Sequence, residues 1–323
     1  MRTEVAVVGG GAIGSLVAYA LQRAGLMVTL LEPDKPGAAW RASAGMLAPH
    51  AEGLSGELLA WAEESLERYP ALVRALEETS GVRVPLVLEG TWVVARSDAE
   101  AEALAPLEPL PAPLDRVRGA RGGRQYPGGQ VDPQALVHAA RTALERLGGR
   151  ILPAEARGYD AAVDGVRVYL EREVLRAEQL VLAAGAWSAR FGLPVRPLRG
   201  EALLLAGRAP NTPAFVGEGY LLPRALGVYV GATSREGWGR SANLWGLRWL
   251  ADYAHETFPW LETAPLREVY AGHRPAAERP WVGPVEPRVW AAVGHGRNGV
   301  LLAPATARIL TQRILGPKPH PIP

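Results

Sequence analysis

Residues 9–14, Gly9-Gly10-Gly11-Ala12-Ile13-Gly14, set glycines at G-x-G-x-x-G spacing directly after a β-branched run and directly before an amphipathic one. Glu32 follows 18 residues after Gly14, at the end of the next apolar run. In that context the pattern is a dinucleotide-binding fingerprint. Gly9 permits the tight turn, Gly11 lets the backbone touch a pyrophosphate, and Gly14 lets helix pack on strand. The helix opened by Ala12 and Ile13 presents the positive end of its dipole to the phosphates. Glu32 would accept hydrogen bonds from the adenosine ribose hydroxyls, and its carboxylate would repel a 2′-phosphate. The fingerprint does not separate NAD from FAD. Residues 42–49, Ala-Ser-Ala-Gly-Met-Leu-Ala-Pro, form a small-residue loop that suits a cofactor lying along it and equally suits a tight structural turn.

These residues need elements to hold them. Residues 4–8 read as a strand, 13–24 as an amphipathic helix with Leu16, Ala20 and Leu21 inward, and 27–31 as a second strand, a βαβ unit at minimum length. A helical region over residues 55–79 is expected to break or bend near Pro70. Residues 82–95 are strand-like, and 105–113 form a proline-rich connection. Asp132 caps a further helix with Pro133 in its first position and Gly148-Gly149 as its stop. Short strands are expected at 165–170 and 179–182, several more between 203 and 232 with a turn at 225–227, and one at 289–293. Helices are expected at 245–258 and 300–315, with Pro304 tolerated in the first turn of the latter. No internal repeat or low-complexity tract occurs, so two interleaved domains are expected.

Composition narrows the classes. A chain of 323 residues with 48% apolar content can bury one or two sizeable cores. Without cysteine there is no disulfide, thiolate metal site, cysteine nucleophile or cysteine-linked cofactor. The six histidines lack metal spacing, so no metal is expected. The net charge of +2 gives no reason to expect nucleic acid or a membrane surface as a partner. Residues 5–21 carry no charge and end in Ala18-Tyr19-Ala20, like a cleavage site, but four glycines interrupt the run and it falls short of a ~20-residue span. A soluble cytoplasmic protein is expected. Lysine occurs only as Lys35 and Lys318 against 33 arginines, which fits a thermophile or a GC-rich genome. Arg116, Arg118, Arg121 and Arg124 read as a solvated loop. Trp238, Trp245, Trp249, Trp260 and Trp281 read as core or subunit-contact residues.

Taken in order along the chain, the fingerprint, the loop 43–49, Tyr126-Pro127 through Val131-Asp132-Pro133, residues 182–188 (LAAGAWS), 220–224 (YLLPR) with Gly231-Ala232-Thr233, Gly272-His273-Arg274-Pro275, and 294–307 (GHGRNGVLLAPATA) resemble the FAD-dependent D-amino acid oxidase superfamily over nearly the whole length. Within it, the chain is most similar to the glycine oxidases. The resemblance implies an α/β fold in which a Rossmann-type FAD-binding domain (1–80, 128–195 and 272–323) is interleaved with an α+β substrate domain (81–127 and 196–271) built on a mainly antiparallel sheet. It implies non-covalent FAD held by Gly9, Gly11, Ala12, Ile13, Gly14, Glu32, Pro33, Trp40, Ala44, Gly45, Met46 and Gly185. It adds His295, Gly296, Asn298, Gly299, Val300 and Leu301, whose backbone amides and helix N-terminus would face the flavin pyrimidine edge and raise its potential.

The same resemblance makes Arg274 the partner of a substrate carboxylate, a role suited to a planar guanidinium fork that keeps its charge. Tyr220 would reach the same carboxylate, and Arg297 would lie between flavin and substrate. Ser234 replaces a bulkier apolar residue, and Trp40 and Arg41 replace small hydroxyl residues; both changes bear on pocket size. No general base is assigned. The implied reaction is oxidation of glycine or a similar small amine to an imine, then glyoxylate and ammonia, with dioxygen reduced to hydrogen peroxide, in a homotetramer by family precedent. The imine would otherwise feed thiazole synthesis for thiamine. A D-amino acid, sarcosine or proline oxidase or dehydrogenase is the alternative within the superfamily, and a non-catalytic dinucleotide-binding subunit the alternative outside it.

Overall fold

The computed structural model describes residues 1–239 and 241–316; Lys318 and the remaining positions of the range 317–323 lie outside them. Six helices are described: α1 (Ala12–Arg23), α2 (Gly56–Ser80), α3 (Asp98–Leu104), α4 (Pro133–Arg146), α5 (Leu244–Thr257) and α6 (Gly299–Leu315). No described helix is long and apolar enough to cross a membrane.

The expected βαβ unit is present. Strand Arg2–Val8 pairs in parallel with Val28–Leu31 on one side and with Val174–Leu182 on the other. Arg150–Leu152 and Val289–His295 extend this parallel sheet at its two ends. Its central strands, Arg2–Val8 and Val28–Leu31, are covered by α1, α2, α4 and α6 on one side and by the ribbon around Val166 and Val168 on the other, which is why residues 5–8 and 28–31 read as apolar runs. The uncharged residues 5–21 are therefore the central strand, its turn and α1.

The second half of the molecule is mainly antiparallel, as expected. Arg196–Leu205 lies between Leu266–Glu286 and Gly227–Gly231, and Gly219–Arg224 and Ala214–Val216 follow outward. Thr91–Ala95 then pairs in parallel with Ala214–Val216, an exception to the antiparallel pattern. Strand Leu266–Glu286 also pairs with Val289–His295, so both halves share one continuous sheet. No periodicity marks this 21-residue strand, because glycine and proline interrupt it and it crosses from one environment to another.

Three sequence expectations are corrected. Helix α2 runs unbroken through Pro70: Pro70 is on its exposed side, while Tyr69, Val73 and Leu76 anchor the opposite face in the core. Helix α3, opened by a Ser97–Glu100 capping box, arises where no element was expected. Pro304 lies beyond the first turn of α6, deeply buried. A proline there cannot donate to the carbonyl of Val300, four residues back. The Tyr69 hydroxyl donates to that carbonyl instead, at 2.6 Å, and Ser65 Oγ, one turn earlier on α2, accepts from the next amide, Ala305 N–H, at 3.1 Å.

Candidate active site

A cavity of about 650 Å³ lies where the two halves meet, lined from the glycine turn to the strand Leu266–Glu286. At one end are Gly9, Gly11, Ala12 and Ile13, with Glu32 and Pro33. Gly9 has φ +101°, a conformation that disfavours any side chain, and a Cβ there would come within 2.7 Å of Ala184 Cα. Gly14 does not line the cavity; a Cβ on it would strike the Gly9 carbonyl, so it serves helix-on-strand packing, as the fingerprint requires. Helix α1 begins without a side-chain cap and without an acidic residue in its first turn. Its first amides are therefore free for an anion at this end of the cavity.

Glu32 is fixed by its neighbours. Its carboxylate accepts from Gly10 N–H at 2.5 Å and Asp34 N–H at 2.7 Å, and pairs with Arg141 at 3.2 Å. Arg141, on α4, also donates to the Gly10 carbonyl and is a site residue the sequence reading missed. Burial lowers its pKa, opposed by the charges of Glu32 and Asp34. Only the packing of α4 against α1 brings it to the glycine turn.

Trp40, Ala44, Gly45, Met46 and Gly185 line the middle of the cavity. Loop 42–45 is tied to the antiparallel half: Tyr229 donates to the Ala42 carbonyl at 2.7 Å, and Arg224 donates to Ser43 and Ala44 carbonyls at 3.1 and 2.7 Å. Those bonds fix the backbone of the loop along the cavity. Trp40 approaches Gly11, so this departure bears on the dinucleotide end of the cavity rather than on the substrate pocket. Arg41 stacks over Trp40 and does not line the cavity.

His295, Gly296, Gly299 and Val300 line the cavity at the start of α6. This helix too begins without a side-chain cap or an acidic residue in its first turn. Asn298 and Leu301 do not line the cavity. The Leu301 side chain is on the inward face of α6 and packs in the core. His295 is buried, with Nε2 3.0 Å from Thr306 Oγ1, and burial pushes its pKa down to about 4. His273 uses both ring nitrogens, Nδ1 at 3.0 Å from the Gly37 carbonyl and Nε2 accepting from Gly239 N–H at 3.0 Å. His273 is thus occupied at both ring nitrogens, and His295 at Nε2.

At the far end Arg274, Tyr220 and Arg297 converge on the same cavity, together with Ser234. Arg274 Nη1 donates to the Thr233 carbonyl at 3.0 Å, and its guanidinium lies over Gly200, where a Cβ would strike it and push it aside. Tyr220 stacks on Tyr229 with ring centroids 6.2 Å apart and leans on Phe215. Burial raises its pKa, with Arg274 opposing, so the phenol stays protonated and able to donate. Arg297 pairs with Glu52 and lies over Phe215.

Glu52 was missed. Its side chain is only 7% exposed and lines the cavity beside the arginines. Burial raises its pKa, and the charges of Arg297 and Arg274 oppose that rise. Its only sequence signal is position: it follows the 43–49 loop by three residues, in a stretch with no periodicity. Arg116, Arg118 and Arg121 are exposed, as expected, with Arg118 and Arg121 paired to Glu262 and Asp98, whereas Arg124 is half-buried on strand Gly122–Tyr126. Trp249 and Trp260 pack on the core, whereas Trp238 and Trp245 are half exposed.

The residues fit a dinucleotide flavin. Two uncapped helix N-termini, a backbone cradle at Gly9 and Gly11, and a carboxylate at Glu32 border one cavity, and a guanidinium and a phenol close its other end.

Comparison with known proteins agrees. The FAD dependent oxidoreductase family matches residues 4–313. The glycine oxidase of Bacillus licheniformis is 31% identical, with 98% of this chain and 94% of that one covered. A bifunctional ThiO/ThiG protein of Trichormus variabilis is also 31% identical over 100% of this chain, which spans 54% of that longer protein. The crystal structure of glycine oxidase from Geobacillus kaustophilus superposes with a TM-score of 0.88 at 28% identity, covering 97% and 95% of the two chains. The chain thus belongs to the FAD-dependent oxidoreductase family of D-amino acid oxidase type, and FAD is its cofactor.

Proposed function

We propose that this enzyme oxidises glycine, or a similarly small amine, to its imine, which hydrolyses to glyoxylate and ammonia or feeds thiazole synthesis. One observation carries the reading: the dinucleotide fingerprint and the pair Arg274 and Tyr220 border a single cavity. Gly9, Gly11, Ala12, Ile13 and Glu32 would hold the ADP part of FAD, and the start of α6 its pyrimidine edge. When bound, FAD accepts the hydride from the substrate carbon and passes two electrons to dioxygen, giving hydrogen peroxide.

The protein's own residues position the substrate. Arg274 pairs with the carboxylate, and the protonated Tyr220 donates to it. Glu52 offsets the charge of Arg297, so the pocket receives a zwitterion beside one uncompensated guanidinium. The amine would arrive neutral: His273 is held at both ring nitrogens, His295 is held at Nε2, and no general base is assigned. Catalysis then rests on orientation and fixed dipoles. The similarity to glycine oxidases supports glycine over bulkier D-amino acids, sarcosine or proline, while Ser234 in the cavity supports trials of larger amines. The division into FAD-binding and substrate domains, a cytoplasmic homotetramer, and thermophile origin belong to the same proposal.

The test is anaerobic addition of glycine to the yellow holoenzyme. The flavin absorbance should bleach, and admitted air should restore it with one peroxide per glycine. Arg274→Ala should raise KM for glycine by ~100-fold or more while FAD stays bound, the loss of a bidentate charge-assisted pair. A flavin that glycine leaves unbleached, or a variant with unchanged KM, would overturn the assignment.

A further inference from the structure

We propose that Glu201 and Thr233, neither of which touches the cavity's reacting end, are positioning residues that fix the carboxylate-binding arginine. The inference rests on the reading of Arg274 given above. Arg274 is on strand Leu266–Glu286, opposite Leu198 of strand Arg196–Leu205 in the register that pairs Gly200 with Gly272. Its guanidinium lies flat over Gly200, which supports it from below. Among the described residues its one hydrogen bond is Nη1 to the Thr233 carbonyl, at 3.0 Å. An arginine side chain has many rotamers, and a bidentate site needs one of them. The direction of the Thr233 carbonyl therefore decides where the fork points.

That carbonyl is held from Glu201. Thr233 N–H donates to the Glu201 carbonyl at 3.0 Å. Glu201 N–H donates to Thr233 Oγ1 at 2.9 Å, and this hydroxyl faces the Glu201 carboxylate at 3.3 Å. Three hydrogen bonds between two residues leave the threonine no other orientation. The carboxylate is fully buried, an arrangement that requires partners. It has them: Arg199 donates to it, Asn243 N–H donates at 3.0 Å, and Arg235 is 3.9 Å away. Residues 233, 235 and 243 are thereby tied to one anion, which anchors the segment that runs beside the pocket. Its partners offset the cost of burying the charge, and the same contacts fix the segment whose Thr233 carbonyl holds the arginine fork.

The test uses holoenzyme and acetate, a carboxylate that carries no amine to oxidise, followed by the change it produces in flavin absorbance. Thr233→Val keeps the volume and the carbonyl but removes the hydroxyl. It should weaken acetate and raise KM for glycine together, each ~10-fold, with kcat within about 2-fold, and Thr233→Ser should return both to within about 2-fold of wild type. Glu201→Gln, which keeps the shape and removes the charge, should shift acetate affinity in the same direction and serves if the valine variant does not fold. Unchanged acetate affinity in the folded variants, or a loss confined to kcat, would overturn the inference. Arg274→Ala is the separate control: if it binds acetate like wild type, the reading of Arg274 itself fails, whereas loss of acetate there with retention in Thr233→Val removes only the positioning role.

Discussion

Tyr69→Phe removes one oxygen from the core, and its effect should depend on a proline 235 positions later in the chain. The Tyr69 ring is fully buried, and its hydroxyl, kept protonated by that burial, donates to the Val300 carbonyl at 2.6 Å. Pro304 has no N–H to offer that carbonyl. Phenylalanine fills the same volume, so no cavity opens and the cost is that of a buried carbonyl left without a partner, ~1–3 kcal/mol. In a Pro304→Ala background the helix supplies its own donor to Val300, and the same Tyr69→Phe change should cost no more than ~0.5 kcal/mol. Urea unfolding of the four proteins at one fixed FAD concentration gives the cycle directly. A coupling of at least ~1 kcal/mol is expected. Equal penalties in the two backgrounds would refute the account, because the tyrosine would then contribute through packing and not through the carbonyl that proline leaves open. Since Val300 lines the cavity, Tyr69→Phe should also loosen FAD, read as a raised dissociation constant.

Two further outcomes are expected. His295 takes up its proton near pH 4 in the folded chain and near 6.5 when exposed, so unfolding binds a proton between those values and stability falls as the pH drops from about 6.5 to 4, by ~3 kcal/mol. His295→Gln, compared with wild type at pH 7 and pH 4.5, should lose that part of the acid sensitivity; identical pH dependence would contradict it. Glu52→Gln removes a negative charge beside Arg297 and Arg274, so acetate should bind the holoenzyme ~5-fold more tightly, and weaker binding would show that Glu52 orders the arginines more than it offsets them.

The dinucleotide end of the site was legible because its parts are local. Strand, glycine turn, helix and Glu32 fall within the first 32 residues, and Gly9 and Gly14 answer to contacts inside that unit or with Ala183 and Ala184 just beyond the neighbouring strand. The strand, glycine turn and helix at 294–307 were legible for the same reason. Arg274 and Tyr220 were reached through resemblance rather than periodicity, since one is on a strand no pattern announces. Glu52, Arg141 and Glu201 escaped because nothing in their own surroundings along the chain marks them, and Thr233 was reached only as the end of the 231–233 motif, without its contact to Arg274.

By itself, then, the amino-acid order determined the βαβ unit and a dinucleotide cofactor, since these follow from local spacing, while the flavin and the interleaved fold came through resemblance to a known family. Tertiary structure alone decided which charges meet. Residues 52, 274 and 297 share one pocket, 32 meets 141, and 201 reaches 274 through 233. Hydrophobic periodicity reports whether a side chain faces inward but not what it faces, and electrostatic partnership is set by distance across the fold rather than by separation along the chain.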